Sequence, residues 1–168
     1  MTENMPPLVI CDAGPVIHLD ELGCIELLSS FSRVLIPATV WREVQRHRPK
    51  ALGLPCLEKT SAKNPEPPEL EAVAVALSLH TGEWEAIRVA LEHPDSVLLT
   101  DDTAARLAAG NLGIRVHGTI GVLVRSVRQG LRTKIAILDI LRSIPTSSTL
   151  HLKRSLLEAV IKQVEEHP

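Results

Sequence analysis

The 168-residue chain contains no tyrosine, one phenylalanine and two tryptophans. Proteins that bind single-stranded nucleic acid by stacking its bases depend on aromatic side chains, so this composition argues against a stacking platform. The formal net charge is −2, whereas a protein that held a duplex through its phosphates alone would be clearly basic. Any contact with nucleic acid must therefore be made at a local site.

Cysteines are also few: there are three, and they form no Cys-x-x-Cys motif. We therefore expect neither a disulfide framework nor a structural zinc site. No apolar run approaches the roughly 20 residues of a membrane span, and the first residues, MTENMPP, lack a basic segment followed by an apolar one. These absences predict a cytoplasmic protein without a membrane partner.

Several catalytic motifs of α/β proteins are missing as well. The sequence has no GxxxxGK[ST], no GxGxxG and no GxSxG. A haloacid-dehalogenase-type phosphatase requires Asp-x-Asp after its first strand, but here Asp12 is followed by Ala13 and Gly14. These motifs therefore give no support to a P-loop protein, a dinucleotide-binding protein, a serine hydrolase or such a phosphatase.

Short apolar runs alternate with segments that are apolar at helical spacing. Strands are predicted at residues 8–11, 33–36, 54–59, 96–100 and 114–116. Helices are predicted at residues 16–31 (two short ones), 38–48, 69–79, 82–92, 103–109, 119–129, 134–142 and 149–166. Because the strands are almost continuously apolar, helices should cover both faces of the sheet. The pattern predicts a single α/β domain over residues 1–168 with a parallel sheet of four or five strands, a core over about residues 8–145 and a C-terminal helix over about residues 149–166.

Acidic residues are placed where the predicted strands end. Asp12 follows the first strand, and Asp101 and Asp102 follow the fourth. The carboxyl ends of parallel strands lie at one edge of a sheet, which is where ligands bind in open α/β folds. Three glutamates on predicted helices could reach the same edge: Glu43, Glu83 and Glu85.

A cluster of carboxylates repels itself unless it is protonated or neutralised by a cation. Oxygen ligands without histidine or cysteine favour Mg²⁺ or Mn²⁺ over zinc. Two such ions can activate water and stabilise the leaving oxygen when a phosphodiester is cleaved. The acids therefore suggest a metal-dependent nuclease site.

Simpler roles remain open for four of these acids. Asp102 is well placed to cap the helix that follows it. Glu43 could be a solvated residue that pairs with arginines of its own helix. Glu83 and Glu85 lie near a predicted helix start, where the helix dipole favours negative charge.

Five sequence blocks, in this order, resemble those of PIN-domain proteins: ICDAGPVIHL, VLIPATVWREV, TGEWEAIRVAL, VLLTDDTAARLAA and GIRVHGTIGVLVRSVRQGL. The resemblance covers about residues 8–165 and is to the bacterial and archaeal toxin-like group with GEAEAI and GTLGVL blocks. It implies a three-layer α/β/α fold and a ribonuclease that uses Mg²⁺ or Mn²⁺ to cleave single-stranded RNA. The acids that match the family's catalytic positions are Asp12, Glu43, Glu83 (with Glu85 close by) and Asp101 (with Asp102 adjacent).

The sequence departs from the family pattern in two places. Many PIN nucleases carry a serine or threonine beside the first acid, but Ala13 and Gly14 supply no hydroxyl. Trp84 separates Glu83 from Glu85 in the GEWEAI block, and we expect it to face away from the metal because adjacent helix residues diverge by about 100°.

Two basic runs could guide a nucleic acid, although a solvated helix face is the default interpretation of both. The first, which lies beside Glu43, contains Arg42, Arg46, Arg48 and Lys50, and we expect it to be the better candidate for contact with RNA. The second contains Arg125, Arg128, Arg132 and Lys134.

A second class of function competes with cleavage. The chain could be a binding or regulatory module that keeps the fold without cutting RNA. The resemblance also implies an antitoxin partner, whose arginine or lysine could neutralise the acidic site. The apolar stripe of the helix over about residues 149–166 is expected to be intramolecular core, with a homodimer or partner surface as the alternative.

Overall fold

The computed structural model describes residues 6–66 and 68–166. Its strands are β1 (Leu8–Cys11), β2 (Arg33–Pro37), β3 (Leu57–Thr60), β4 (Val97–Leu99) and β5 (Arg115–His117). Its α-helices are α1 (Ala13–Glu21), α2 (Ala38–His47), α3 (Pro68–Ala76), α4 (Thr81–Leu91), α5 (Thr103–Asn111), α6 (Thr119–Arg128), α7 (Lys134–Ser147) and α8 (Arg154–Glu166). Short 3₁₀ helices span Ile25–Ser30 and Pro49–Gly53.

The five strands form one sheet in the order β3-β2-β1-β4-β5, and every neighbouring pair is parallel. This confirms the predicted parallel sheet of four or five strands. β1 is central and lies beside β4. The backbone N–H of Asp12 donates to the carbonyl oxygen of Leu99 at 2.9 Å, so the two acidic strand ends are direct neighbours.

Side chains alternate between the two faces of the sheet because successive strand residues point in opposite directions. Val9 and Cys11 of β1 belong to a core cluster that also includes residues of α1, α2, α6, α7 and α8. Ile10 lies on the other face, in a cluster with residues of α4 and α5. Helices therefore cover both faces, which confirms the three-layer α/β/α architecture.

The C-terminal helix begins later than the sequence predicted. Instead of starting at about residue 149, α8 starts at Arg154. The reason is a distant carboxylate: Glu21 accepts hydrogen bonds from Ser148 Oγ at 2.8 Å and from the backbone N–H of Thr149 at 2.7 Å. These bonds hold the segment after α7 outside a helix, along the edge where the acids lie.

The apolar stripe of α8 packs mainly inside the molecule. Leu157 and Val164 are buried in the first core cluster, and Val160 and Ile161 pack against it. Leu156 is exposed. No helix among residues 6–66 and 68–166 is both long and apolar enough to cross a membrane.

Candidate active site

A cavity of about 420 Å³ lies at the C-terminal ends of β1 and β4. Two neighbouring parallel strands and the helices that flank them bring five of the six predicted acids to its wall. These acids are Asp12, Glu43, Glu83, Asp101 and Asp102. Residues that are more than 80 positions apart in the sequence therefore meet at one place, as the strand-end argument predicted.

Asp12 is the deepest of these acids, with 7% of its surface exposed. Its Oδ1 accepts a hydrogen bond from the backbone N–H of Ala13 at 2.8 Å, and its Oδ2 accepts one from Thr100 Oγ1 at 2.8 Å. Burial raises the pKa of Asp12 from 3.8 to about 6, and the nearby charges of Glu83 and Glu43 also raise it, against the lowering effect of the two hydrogen bonds. A cation beside Asp12 would remove this electrostatic cost.

Asp101 has a different environment. Its Oδ2 accepts hydrogen bonds from His18 Nδ1 at 2.8 Å and from Thr119 Oγ1 at 2.6 Å, and its Oδ1 accepts one from the backbone N–H of Thr119 at 2.7 Å. Burial acts to raise the pKa of Asp101, but the hydrogen bonds from His18 and Thr119 outweigh it, so the pKa is lowered. Asp101 is therefore held in its ionised form.

Gly118 allows Asp101 to reach this position. A Cβ atom at Gly118 would lie 2.5 Å from Oδ1 of Asp101 and 3.1 Å from Nη1 of Arg106. The first distance is shorter than any normal contact, so no larger residue fits without moving the carboxylate. The glycine of the GTIGVL block thus serves the geometry of the site.

Glu43 lies on α2 and Glu83 on α4, and these two helices pack against each other. The contact is close at Gly82, where a Cβ atom would lie 3.3 Å from Cγ2 of Val40 and 3.6 Å from Oε2 of Glu43. Glu83 folds back on the start of its own helix, where its Oε2 accepts a hydrogen bond from the backbone N–H of His80 at 2.8 Å. Glu43 is exposed, and no hydrogen bond joins its carboxylate to the described residues.

The two remaining predicted acids are capping groups. Asp102 lines the cavity, and its Oδ1 accepts a hydrogen bond from the backbone N–H of Ala105 at 2.8 Å at the start of α5. Glu85 does not line the cavity: its Oε2 accepts hydrogen bonds from the backbone N–H and the hydroxyl of Thr39 at the start of α2. Of the two glutamates in the GEWEAI block, Glu83 is therefore the one that faces the candidate site.

Trp84, which separates these glutamates, is buried in the second core cluster, and its Nε1 donates to Glu66. The expectation that it faces away from the acids is confirmed. The basic run on α2 is not part of the cavity wall either. Arg48 forms ion pairs with Asp20 and Glu21, while Arg42 and Arg46 are exposed.

Three histidines also line the cavity, although no sequence pattern grouped them together. They are His18, His80 and His151. His18 lies four residues after Gly14, which lines the same cavity, so helical spacing could have indicated that residue. The other two come from segments whose position depends on the tertiary structure.

The donor chemistry of the cavity fits a hard divalent cation, since carboxylate oxygens predominate. The ionised form of Asp12 is destabilised by burial and, to a smaller extent, by the charges of Glu83 and Glu43. The side chains are not arranged around a single point, however. Within residues 6–66 and 68–166, no three histidine, cysteine, aspartate or glutamate side chains form a group that could hold an ion as they stand. Coordination would require a side chain such as Glu83 to exchange its hydrogen bond with His80 for the ion.

Known protein families provide an independent comparison. No curated protein matches the chain. The model of the family DUF3368, described as a PIN domain, matches residues 8–166, which is nearly the whole chain. Members of the PIN-domain family are generally nucleases and typically use divalent metals. The match, together with the α/β/α fold and the acids at its strand ends, shows that this chain belongs to the PIN-domain family.

Proposed function

We propose that this PIN domain is an endoribonuclease that uses Mg²⁺ or Mn²⁺ to cleave phosphodiester bonds in single-stranded RNA. The observation that carries the proposal is the buried carboxylate of Asp12, whose pKa is raised to about 6 within a cavity lined by four further acids. An electrostatic cost of this kind is expected where a protein is built to receive a cation.

In this proposal Asp12, Glu43, Glu83 and Asp101 would hold one or two ions, with Asp102 beside them. A divalent ion held there would supply a water molecule of lowered pKa and charge stabilisation for the leaving oxygen. Thr100 orients Asp12 through its hydroxyl hydrogen bond. His18 and Thr119 keep Asp101 ionised, which is the form that binds a cation.

The test is a cleavage assay on a labelled single-stranded RNA in the presence of Mn²⁺. Asp12→Asn removes the charge of Asp12. Its amide oxygen can still accept from the backbone N–H of Ala13, and its amide nitrogen can donate to Thr100 Oγ1, which reverses that hydrogen bond. We therefore expect the fold to be preserved and the cleavage rate to fall by at least about 100-fold. Asp139→Asn is the matched control, because it removes one carboxylate from an exposed position on α7 and should cleave like the wild type. Equal cleavage by the two variants would contradict the assigned site.

A second function has support from one observation. Glu83 and Asp101 already accept hydrogen bonds from protein groups, as expected of a module that binds a partner without cleaving RNA. In that case a basic side chain of a partner protein would neutralise the cavity, which is also how an antitoxin would restrain a toxin-like PIN nuclease. Absence of metal-dependent turnover, together with recovery of the purified chain in complex with a protein, would favour this module.

The toxin role and a cytoplasmic location belong to the same proposal. A free ribonuclease acting on cellular RNA should stop growth when it is expressed alone, and Asp12→Asn should abolish that effect. If cells that express the wild type grow normally although the purified protein cleaves RNA, the toxin role is rejected and the ribonuclease activity is retained.

A further inference from the structure

Two more cavities adjoin the candidate active site. The nearer one, of about 540 Å³, shares Asp101, Leu150 and His151 with the active-site cavity. The farther one, of about 440 Å³, shares His117 and Ile120 with the nearer one and lies between β4, β5, α6 and α8. The three cavities therefore follow one another across the surface.

Basic side chains stand among the largely uncharged lining residues of the two added cavities. We call these side chains the basic trough and define it by Arg106, Arg115, Arg125, Arg128 and Lys153, with His117 between the two cavities. Acidic residues dominate the active-site cavity, so the charge changes sign along the path from Asp101 to Arg128.

Within the part of the chain that the structure describes, the trough arginines form no ion pair with a carboxylate. None of the ion pairs found among residues 6–66 and 68–166 involves Arg106, Arg115, Arg125 or Arg128. Most other arginines do form such pairs: Arg33, Arg48, Arg88, Arg132, Arg142 and Arg154. Of the six described arginines without an ion pair, four therefore lie in the trough, and the other two are Arg42 and Arg46.

Three of these arginines are held by uncharged groups. Arg106 donates to the carbonyl oxygen of Thr100 at 3.1 Å, and Arg115 donates to the carbonyl oxygen of Asp95. Arg125 donates to Ser30 Oγ at 2.7 Å and lies 4.3 Å from the centroid of the Phe31 ring. Neutral acceptors orient a guanidinium group without cancelling its charge, so the trough keeps its attraction for anions.

The titration of His117 reflects the same positive potential. Burial lowers the pKa of His117, and the positive charges of the four trough arginines lower it further. His117 lines both cavities, and each of these arginines lines one of them.

We propose that single-stranded RNA bound at the candidate active site extends along the basic trough, with its phosphates contacting the trough arginines. The inference rests on the proposed function, because that function identifies RNA as the polymer whose scissile bond lies at the carboxylates. It is an alternative to the expectation that the run beside Glu43 guides RNA, and neither Arg42 nor Arg46 of that run lines any of the three cavities.

An acidic peptide is the other polymer that a basic surface could hold. Guanidinium groups match carboxylate and phosphate oxygens alike, so their chemistry does not choose between the two polymers. RNA is favoured because the trough adjoins the cavity at which the proposed function places an RNA phosphodiester.

The test measures binding of a fluorescently labelled 12-nucleotide single-stranded RNA in EDTA, so that no cleavage occurs. Arg115→Gln/Arg128→Gln removes two trough charges, and Arg42→Gln/Arg46→Gln removes two charges from α2 as a matched control. We expect the trough variant to bind at least about fivefold more weakly than the control, with a salt slope smaller by about 1.4 for two lost phosphate contacts. Thermal unfolding checks that both variants are folded.

Equal affinities of the two variants would overturn the trough proposal, as would failure of the wild type to bind RNA. Preference of the wild type for a labelled oligoglutamate peptide over RNA would also overturn it, in favour of an acidic protein partner. A parallel RNA cleavage assay with Mn²⁺ separates the two proposals. If the trough variant binds RNA more weakly but the wild type does not cleave it, the nuclease proposal is rejected and the trough proposal is retained.

Discussion

At the scale of single residues, the pKa values of Asp12 and Asp101 are shifted in opposite directions. Burial and nearby negative charge raise the pKa of Asp12, whereas hydrogen bonds from His18 and Thr119 outweigh burial and lower the pKa of Asp101. In our account a cation would relieve the first carboxylate, while the second is ionised before any cation binds. Because the pKa of Asp12 differs between the folded and unfolded states, Asp12 makes the stability of the metal-free protein depend on pH.

The folded state should hold a proton on Asp12 between about pH 4 and pH 6, whereas the unfolded state should already have lost it. Stability therefore falls as the pH rises through this range and then stays at the lower level. Asp12→Asn cannot titrate, so in EDTA it should match the wild type near pH 4 and exceed it above pH 6 by on the order of 3 kcal/mol. Urea unfolding of both proteins from pH 4 to pH 8 measures the difference, and a difference independent of pH would contradict the account.

Gly118→Ala tests the position of Asp101. The added Cβ would lie 2.5 Å from Oδ1 of Asp101, so the carboxylate must move and RNA cleavage should drop by at least about tenfold. Gly110→Ala is the control, since a Cβ there meets nothing within 4 Å in α5 and alanine should stabilise the helix by about 1 kcal/mol. Unchanged cleavage by Gly118→Ala would show that the placement of Asp101 does not matter.

At the scale of elements, the sequence predicted the strands and the edge where their acids meet. The apolar runs that end in Asp12 and in Asp101 were sufficient to predict this edge, because the carboxyl ends of parallel strands lie at the same side of a sheet. It could not choose between Glu83 and Glu85, since helix phase is uncertain by a residue or two without tertiary contacts. It also missed His151, because the segment that carries this residue is placed by a hydrogen bond from Thr149 to Glu21.

That segment offers an element-scale prediction. Glu21→Gln weakens the hydrogen bonds from Ser148 and Thr149, so the protein should lose about 2 kcal/mol of stability and the amides of residues 149–151 should exchange faster. Glu26→Gln provides the control, because Glu26 pairs with Arg132 on the surface and should have little effect. Unaltered exchange at Thr149 would mean that other contacts hold the segment.

At the scale of the whole molecule, opposite charges occupy adjacent regions. The carboxylates lie at the ends of β1 and β4, and the trough arginines lie farther along, around β5 and α6. A net charge of −2 conceals this separation, which is why composition indicated only that a nucleic-acid site must be local. The arrangement suits a protein that holds a polyanion beside a cation-dependent reaction centre.

The most direct test of the central claim is a calorimetric titration of the wild type and of Asp12→Asn with Mn²⁺. We predict that the wild type binds Mn²⁺ and that the variant binds at least about tenfold more weakly, because the buried charge of Asp12 is part of the site. Equal affinity in the two proteins, or no binding by the wild type, would contradict the account and leave Asp12 as the helix cap of α1.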